Sequence, residues 1–418
     1  MSKFVIQGQN ELEGEIAVAG AKNCALKLLA ASVLIPGECR FTNVPEIEEV
    51  FLMVNILEHL GAKVTKEGKG EYIIQGKSIN KSELPADLAA KIRSSIMFVA
   101  PLLARFGEVK FPHPGGCILG KRPIDMFLEG YRALGAEVSG KENFYHIKAQ
   151  QLTGCRYVFP WISHTVTESM IMASVLARGE TKLINAAREP EVVALCQFLQ
   201  QSGAQINCSE AGEIKIKGIK GLTGSRYKII PDRIETGTFA ILGALTGKEV
   251  QITNCDPSHL EVFWKMLAKA GVECKIGKQT VKVKAASRLK ACEARTHEYP
   301  GFATDLQAPF TVLMTQAKGA SLIHETIYEG RLFYTDSLNK MGANITMCDP
   351  HRVVVNGPTK LYGTTLISPD LRAGIALVLA ALIAEGKSEI GNAFQIDRGY
   401  EDIESRLKKL GADIRRVE

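Results

Sequence analysis

The sequence predicts an α/β protein of two domains, each built from three similar repeats. Its 418 residues exceed the size of one ordinary hydrophobic core, so two domains are the default. A helix that ends in a small residue, a glycine and another small residue recurs six times, and successive glycines are 74, 68, 68, 71 and 69 residues apart. A recurrence of this regularity indicates one supersecondary unit used six times. The repeated glycines are Gly61, Gly135, Gly203, Gly271, Gly342 and Gly411.

Each repeat of about 70 residues starts with a helix that is apolar on all sides, which is typical of a helix buried inside a domain. A glycine turn and a short strand follow, then an amphipathic helix that stops at the repeated glycine, and then a hairpin of two strands. In the last repeat, Tyr400, Ile403 and Leu407 mark the apolar face of the helix that ends at Gly411. The buried helices are predicted at residues 25–34, 94–103, 169–176, 238–245, 306–314 and 372–383.

The six repeats divide into two groups of three. We predict a first domain of residues 22–229 and a second domain of residues 230–418. Residues 1–21 contain a strand pair, and the last repeat lacks a second closing strand after Ile414. Residues 1–21 are therefore assigned to the second domain, so the chain is expected to cross between the domains twice.

Composition favours a protein that binds small anions and lies in a reducing compartment. The net charge of +6 is mild and includes no block of Lys and Arg, which argues against a nucleic-acid partner. The ten cysteines are scattered, without CxxC or Cys/His metal spacing, so we expect reduced thiols and no metal. The first residues lack the apolar segment of a signal peptide, and the longest apolar run, 373–384, is too short to span a bilayer. We expect a cytoplasmic protein with no membrane partner.

Ionisable side chains stand at the starts of the buried helices. Lysine or arginine there opposes the helix dipole, so each needs an anion, which is either a neighbouring carboxylate or a bound ligand. For the acidic residues Asp305 and Asp370, capping of the helix N-terminus is an adequate explanation. The cations at these positions are Lys22, Arg93, Arg233 and Arg372.

A glycine-rich stretch at residues 113–125 carries a thiol. Cys117 follows Pro114 and two glycines and lies five residues before Arg122, which stands at the start of a helix. A nearby cation and a helix N-terminus both lower the pKa of a thiol. The stretch is interpreted either as a loop with a reactive thiol or as a surface loop with an incidental cysteine.

Several motifs of the sequence are shared with one family. They are Gly20-Ala21-Lys22-Asn23, Pro114-Gly115-Gly116-Cys117, Arg122-Pro123, residues 185–190, residues 231–239, Thr304-Asp305 and residues 396–400. Together they resemble the UDP-N-acetylglucosamine 1-carboxyvinyltransferase family, in collinear order from residue 3 to residue 416. The resemblance implies an enolpyruvyltransferase-like fold of two inside-out α/β barrel domains, each with three-fold pseudo-symmetric repeats, around a cleft that the Cys117 loop closes.

The resemblance also implies an activity. The family transfers the enolpyruvyl group of phosphoenolpyruvate to the 3-hydroxyl of UDP-N-acetylglucosamine and releases phosphate. This is the first committed step of peptidoglycan synthesis, on which cell-wall biogenesis, cell shape and cell division depend. The substrates are two small molecules, no cofactor is implied, and the oligomeric state is left open.

Catalytic roles carry over from the family by position. Cys117 is the implied proton donor to the methylene carbon of phosphoenolpyruvate, and it can form a covalent adduct. Asp305 is the implied base for the sugar 3-hydroxyl. Lys22 and Arg122 should hold the phosphate, with Arg398 beside them. Such a reaction needs one acid, one base and several cations around a dianion.

Binding roles carry over in the same way. Arg331 and Arg372 should hold the carboxylate of phosphoenolpyruvate, because a planar guanidinium suits bidentate pairing. Asn23 should bind the sugar or the tetrahedral intermediate, and Arg93 should reach the nucleotide sugar. The remaining substrate-binding candidates are Arg122, Pro123, Ile124, Asp125 and Met126 along the uridine, Ser163 and His164 near the nucleotide, and Ile327 and Asp370.

One stretch departs from the family pattern. Where family members place a lysine that faces the diphosphate, this chain has Trp161, although Ser163 is kept. Trp161 is interpreted either as a platform that stacks on a base or as a core residue. His164 either replaces the lost donor or is a structural histidine.

The altered stretch leaves an alternative activity open. An enolpyruvyltransferase for a different nucleotide or sugar acceptor would keep the residues that face phosphoenolpyruvate and change those that face the nucleotide. An inactive paralogue that binds a nucleotide sugar would instead be expected to lose catalytic residues. None of Lys22, Cys117, Asp305 and Arg398 is lost.

Overall fold

The computed structural model of the chain describes residues 2–115, 123–141, 144–209 and 212–418, so Cys117 and Arg122 lie outside the described residues. The described chain divides into two units. One unit consists of residues 20–115 and 123–230, and the other consists of residues 2–19 and 231–418. Each unit has its own hydrophobic core.

Strands and helices alternate along the whole chain. The strands are β1 (Lys3–Gln7), β2 (Leu12–Ala17), β3 (Glu38–Thr42), β4 (Lys63–Gly68), β5 (Glu71–Gln75), β6 (Glu108–Pro112), β7 (Glu137–Lys141), β8 (Phe144–Lys148), β9 (Arg156–Val158), β10 (Glu180–Ile184), β11 (Gln205–Cys208), β12 (Ile214–Lys217), β13 (Arg226–Lys228), β14 (Gly247–Thr253), β15 (Cys274–Ile276), β16 (Thr280–Lys284), β17 (Ala294–Arg295), β18 (Gly319–His324), β19 (Asn344–Asp349), β20 (Arg352–Gly357), β21 (Thr365–Ile367), β22 (Lys387–Gly391) and β23 (Asp413–Val417).

The helices include both the buried and the amphipathic members of each repeat. They are α1 (Lys22–Ala31), α2 (Glu48–Leu60), α3 (Ala86–Ala89), α4 (Val99–Phe106), α5 (Asp125–Ala133), α6 (His164–Ser174), α7 (Pro190–Gln201), α8 (Arg233–Thr246), α9 (Glu261–Lys269), α10 (Gln307–Thr315), α11 (Thr335–Lys340), α12 (Leu371–Ile383), α13 (Phe394–Asp397) and α14 (Ile403–Lys409). Short 3-10 turns occur at Ser32–Leu34, Arg93–Phe98, Pro257–Leu260 and Thr304–Leu306.

The predicted repeat is present six times. In the first repeat, the buried helix α1 is followed by β3, the amphipathic helix α2, and the hairpin of β4 and β5. All six repeated glycines have a positive φ, between 87° and 103°, which a residue with a Cβ adopts only with strain. At Gly61 a Cβ would also lie 2.7 Å from the carbonyl oxygen of Ser78. The glycine therefore ends each amphipathic helix and turns the chain into the hairpin.

The helices predicted at residues 25–34 and 94–103 are each divided in the structure. Residues 25–34 form most of α1 and then the 3-10 turn Ser32–Leu34, and residues 94–103 form most of the 3-10 turn Arg93–Phe98 and then the start of α4. The helix predicted at 306–314 is α10, shifted by one residue. Pro101 explains the division before α4, because it is the third residue of that helix. Proline is tolerated in the first turn of a helix but would clash with the preceding turn of a continuous one.

The sheets lie outside the buried helices. In the unit of residues 231–418, helices α8, α10 and α12 pack against one another and are almost wholly buried. The sheet strands alternate buried and exposed residues, as in β16, so one face of each sheet covers the helices and the other faces solvent. The described strands form six separate sheets, three in each unit. This is the inside-out α/β arrangement that the resemblance implied.

The N-terminal strand completes the last repeat. In every sheet the second hairpin strand lies between the first strand of the repeat and the first hairpin strand, as β5 lies between β3 and β4. In the last repeat β1 occupies that position, pairing antiparallel with both β22 and β23. The strand that the last repeat lacks is therefore supplied from the other end of the chain.

Parallel pairing shows how each unit is closed. The strand before a buried helix usually pairs in parallel with the strand after it, as β9 pairs with β10 around α6. At the two boundaries between units the partners are exchanged. Strand β2 precedes α1 but pairs with β14, and β13 precedes α8 but pairs with β3. Both crossings of the chain thus fall directly before a buried helix.

Candidate active site

Two buried arginines bind the carboxylate of Asp305. Asp305 lies in the 3-10 turn that precedes α10, and its Oδ1 accepts a hydrogen bond of 2.8 Å from a terminal nitrogen of Arg331. Its Oδ2 accepts bonds from Arg372 Nε at 3.0 Å and from a terminal nitrogen of Arg372 at 2.8 Å. Arg331 comes from the segment after β18, and Arg372 is the second residue of α12. The carboxylate therefore joins parts of two different repeats.

A second carboxylate supports Arg331 indirectly. The Thr304 hydroxyl accepts a hydrogen bond from Arg331 and donates one to Glu325, both at 2.8 Å. The other oxygen of Glu325 accepts hydrogen bonds from the backbone N–H groups of Ile327, at 2.8 Å, and Tyr328, at 3.2 Å. The Tyr328 ring stacks against the guanidinium, whose central carbon lies 4.7 Å from the ring centre. The fully buried Glu325 thus fixes the turn that carries Ile327 and leads to Arg331.

Arg372 is positioned by the Tyr400 hydroxyl and by Asp370, which caps the helix that carries it. Its remaining terminal nitrogen lies 3.4 Å from the Tyr400 hydroxyl, which is 2.9 Å from the hydroxyl of Thr238. Its backbone N–H donates to Asp370, as does that of Ala373, so Asp370 caps α12. Capping is thus confirmed for Asp370. It is wrong for Asp305, because the N-cap of that turn is Ala303 and the Asp305 carboxylate binds side chains instead.

Both arginines remain charged in this environment. Burial acts to lower the pKa of each guanidinium, but Asp305 together with the neighbouring tyrosine and acidic side chains outweighs it. The pKa of Arg331 and the pKa of Arg372 therefore both lie above the ordinary arginine value. Both guanidinium groups bind Asp305 directly, whereas Glu325 reaches Arg331 only through Thr304, and planar guanidinium groups are suited to bind a ligand carboxylate.

Arg398 is positioned at the end of a short helix. It follows α13, is half-buried, and donates a hydrogen bond of 3.1 Å to Gln395. The adjacent Asp397 binds both terminal nitrogens of Arg416, at 2.9 Å and 2.7 Å. Asp397 therefore has a structural role, linking α13 to β23.

Lys22 is paired in the other unit. It is the first residue of α1, and its Nζ lies 3.3 Å from the carboxylate of Glu49 on α2, with both side chains buried. The first turn of α1 contains no acidic residue. The sequence predicts that each cation at a helix start is balanced by a neighbouring carboxylate or by a bound ligand. At Lys22 and at Arg372 a neighbouring carboxylate is present. Asn23 follows Lys22 on the same helix and is half-buried.

Arg93 and Asp125 act on one histidine that the sequence reasoning gave no role. Arg93 donates a hydrogen bond of 3.1 Å to the carbonyl of Pro114. Burial and the charge of Arg93 lower the pKa of His113, while Asp125 acts to raise it. Arg93 and Asp125 therefore both influence His113, although eleven residues separate His113 from Asp125 in the sequence. The signal that could have found His113 was its position in the glycine-rich stretch.

The residues after Pro123 begin an amphipathic helix. Ile124 is the N-cap residue of α5 and is buried, and the backbone carbonyl of the buried Met126 accepts a hydrogen bond of 3.5 Å from Tyr157. Pro123 and Asp125 are exposed. Of these four candidates, the structure therefore leaves the side chains of Pro123 and Asp125 accessible to a ligand.

The stretch that departs from the family pattern lies at the start of α6. Ser163 is the N-cap residue and accepts a hydrogen bond of 3.4 Å from the backbone N–H of Val166. The partly exposed His164 places Nδ1 3.7 Å from the fully buried carboxylate of Glu168, which also lies 3.4 Å from Lys27 Nζ. Trp161 is 59% exposed, so its interpretation as a core residue is wrong.

The fold and these buried cations define a class of protein: an α/β protein of two units whose cations at the starts of buried helices are suited to small anionic ligands. The family model of EPSP synthase (3-phosphoshikimate 1-carboxyvinyltransferase) matches residues 6–407, and the chain belongs to this family of enolpyruvyltransferases.

Relatives and solved structures refine the comparison. The chain is 42% identical over 417 residues to the UDP-N-acetylglucosamine 1-carboxyvinyltransferase of Desulfosudis oleivorans, with 100% of each chain covered. It is 40% identical to the enzyme of the same name from Helicobacter pylori, covering 100% of this chain and 99% of the relative. The enolpyruvyl transferase NikO from Streptomyces tendae matches with a TM-score of 0.91 at 25% identity, over 100% of this chain and 99% of NikO. EPSP synthase from Acinetobacter baumannii shares the fold, with a TM-score of 0.74 at 18% identity and full coverage of both chains.

Within the described ranges, no helix combines the length and the apolar character that crossing a membrane would need.

Proposed function

We propose that the chain transfers the enolpyruvyl group of phosphoenolpyruvate to the 3-hydroxyl of UDP-N-acetylglucosamine and releases phosphate, as the relatives are named to do. The observation that carries this proposal is identity of 40–42% to such relatives over the full chain. The motifs by which the sequence resembles that family are spread over both units of the structure. Phosphoenolpyruvate and the nucleotide sugar are thus the proposed small-molecule substrates.

The arginine cluster is the proposed site for the carboxylate of phosphoenolpyruvate. Arg331 and Arg372 are both buried; Arg372 binds Asp305 through two N–H groups and Arg331 binds it through one terminal nitrogen. A substrate carboxylate has the same shape and charge as the Asp305 side chain, so it can share these donors. Sharing weakens the hold of the arginines on Asp305.

Asp305 is the proposed general base for the acceptor hydroxyl. A carboxylate that accepts three short hydrogen bonds from guanidinium groups is stabilised in its charged form and is a poor proton acceptor. Binding of the substrate carboxylate to Arg331 and Arg372 would therefore raise the basicity of Asp305. This couples the arrival of phosphoenolpyruvate to activation of the base.

The proposed reaction proceeds by addition and elimination. Cys117 donates a proton to the methylene carbon, which leaves a cationic centre at the adjacent carbon, and the 3-hydroxyl attacks there as Asp305 takes its proton. A proton then leaves the new methyl group and the phosphate departs, so that the enol double bond is restored in the product. Lys22, Arg122 and Arg398 are proposed to stabilise the phosphate during these steps.

The nucleotide is proposed to bind near the start of α6 and the start of α5. The exposed ring of Trp161 provides an apolar face on which a base can stack. His164 lies at the start of α6, with Nδ1 3.7 Å from the carboxylate of the buried Glu168, and is the proposed donor to the diphosphate. The other proposed nucleotide-sugar contacts are Asn23, Arg93, Pro123, Ile124, Asp125, Met126, Ser163, Ile327 and Asp370.

The compartment proposed for this activity is the cytoplasm. Phosphoenolpyruvate and the nucleotide sugar are charged intermediates that membranes retain inside the cell. The product would enter cell-wall synthesis, and through it cell shape and division.

The proposed acceptor is tested by phosphate release from phosphoenolpyruvate with a panel of nucleotide sugars. We expect release with UDP-N-acetylglucosamine and a steep loss when the 3-hydroxyl is blocked. Release with another nucleotide sugar and none with UDP-N-acetylglucosamine would overturn the choice of acceptor while keeping the reaction class.

A further inference from the structure

Two cysteines outside the candidate active site lie in contact. Cys196 is on the amphipathic helix α7, and Cys208 is the last residue of β11, an edge strand of its sheet. Their sulfur atoms are 3.3 Å apart. Cys196 is buried and Cys208 is exposed, so one thiol of the pair is accessible to reagents from solvent.

The two thiols have different acidities. Burial and the neighbouring Cys208 raise the pKa of Cys196, which therefore keeps its proton. The hydrogen bond between the two sulfur atoms lowers the pKa of Cys208. The accessible thiol is thus the one that forms the thiolate more readily, which is the order needed for attack by Cys208 and resolution by Cys196.

We propose that Cys196 and Cys208 are a reversible oxidation site, which closes to an intramolecular disulfide when hydrogen peroxide reacts with Cys208. The Cys208 thiolate attacks one peroxide oxygen, the O–O bond breaks, and the products are a sulfenic acid and water after proton transfer. Cys196 then attacks the sulfenic sulfur and displaces a second water molecule. The peroxide takes up the two electrons and two protons that the thiols lose.

Disulfide formation would join α7 to the hairpin of β11 and β12. Helix α7 packs against α1 and against α6, which carry Lys22 and His164. The link closes a short loop between residues 196 and 208 and restrains the unfolded chain. The oxidised protein is therefore expected to melt at a higher temperature than the reduced protein.

The site is tested on the reduced full-length protein treated with hydrogen peroxide, followed by differential alkylation and peptide mass mapping. We expect a cross-linked peptide pair containing Cys196 and Cys208 that dithiothreitol separates. Cys208→Ser removes the cross-link, whereas Cys348→Ser, at an exposed cysteine on β19, leaves it unchanged. Before oxidation, Cys208 should react with iodoacetamide at neutral pH several-fold faster than Cys348.

Two results would overturn the inference. One is recovery of Cys208 as a free thiol or a sulfinic acid, without a cross-link, in samples where Cys348 has been oxidised. The other is a disulfide that joins Cys208 to a different cysteine. Both readouts are independent of catalytic activity. They therefore test the oxidation site separately from the proposed acceptor of the enolpyruvyl group.

Discussion

At the scale of single residues, Asp305 and Asp370 show how similar sequence positions acquire different roles. Both stand at the start of a buried helix, and capping explains both from the sequence. Asp370 caps its helix, whereas Asp305 binds Arg331 and Arg372 from other parts of the chain. The sequence at a helix start shows that backbone N–H groups are available to an acidic side chain. It does not show which arginines from other parts of the chain will bind that side chain instead.

Replacement of the proposed base tests this assignment. Asp305→Asn keeps the size of the side chain but removes the proton acceptor, so phosphate release should fall about 10²- to 10⁴-fold. Phosphoenolpyruvate should still bind, because Arg331 and Arg372 are released from their partner. Steady-state kinetics and isothermal calorimetry measure the two effects.

A surface carboxylate is the matched control for that variant. Asp349 also binds an arginine, Arg352, but on exposed residues of β19 and β20. Asp349→Asn should leave turnover unchanged. Turnover of Asp305→Asn within a few-fold of the unmodified protein would remove Asp305 from the role of base.

The predicted reactivity of the Cys117 thiol is tested by covalent labelling. The resemblance to the family implies that Cys117 is the thiol alkylated by the epoxide fosfomycin, so Cys117→Ser should abolish covalent labelling by fosfomycin in intact-mass measurements. Cys348→Ser should label as fully as the unmodified protein. Equal labelling of both variants would place the reactive thiol elsewhere.

His113 provides a prediction on pH dependence. Burial and Arg93 lower its pKa below the ordinary 6.5, so the folded state binds this proton less readily than the unfolded chain. The stability contributed by this residue is full above about pH 6.5 and is lost as the pH falls. Arg93→Gln should raise the pKa of His113, and Asp125→Asn should lower it further, in an NMR titration of the histidine ring signals. Identical titrations in both variants would contradict the proximity of these charges.

At the scale of secondary-structure elements, the order of helices and strands within each repeat could be predicted, and the pairing of strands only in part. Hydrophobic periodicity and the repeated glycine define each helix and hairpin. The assignment of residues 1–21 to the second domain predicts the unit in which β2 lies, and β13 falls within the predicted first domain. Their pairing with β14 and β3 could not be predicted, because periodicity does not show which strands of a sheet are neighbours. The 3-10 turn before α4 could have been predicted from Pro101.

Replacing a helix-ending glycine by alanine can lower the free energy of unfolding in two ways, through backbone strain and through steric overlap of the added Cβ. At Gly203, φ is 103° and a Cβ would meet no atom within 4 Å, so Gly203→Ala should destabilise the unit by about 1 kcal/mol through backbone strain alone. At Gly61 the added carbon would also approach the Ser78 carbonyl at 2.7 Å, so Gly61→Ala should cost more. Urea denaturation measures both. An equal or larger loss for Gly203→Ala would contradict the packing argument at Gly61.

At the scale of the whole molecule, the family could be assigned from the sequence because its motifs are distributed from residue 3 to residue 416. The model of the family matches residues 6–407, and relatives at 40–42% identity cover the whole chain. Part of the site could not be predicted. The buried Glu325, which fixes the segment leading to Arg331, belongs to no motif of the sequence and emerges only when Thr304 and the end of β18 are brought together.

The central claim is that this chain adds an acceptor hydroxyl to phosphoenolpyruvate by way of a protonated enol. The most direct measurement is mass spectrometry of the nucleotide product after incubation with both substrates in deuterium oxide. The account predicts UDP-N-acetylglucosamine enlarged by an enolpyruvyl group, with deuterium in its methylene position and phosphate released in equal amount. An unmodified acceptor, or an enolpyruvyl product without deuterium, would contradict it.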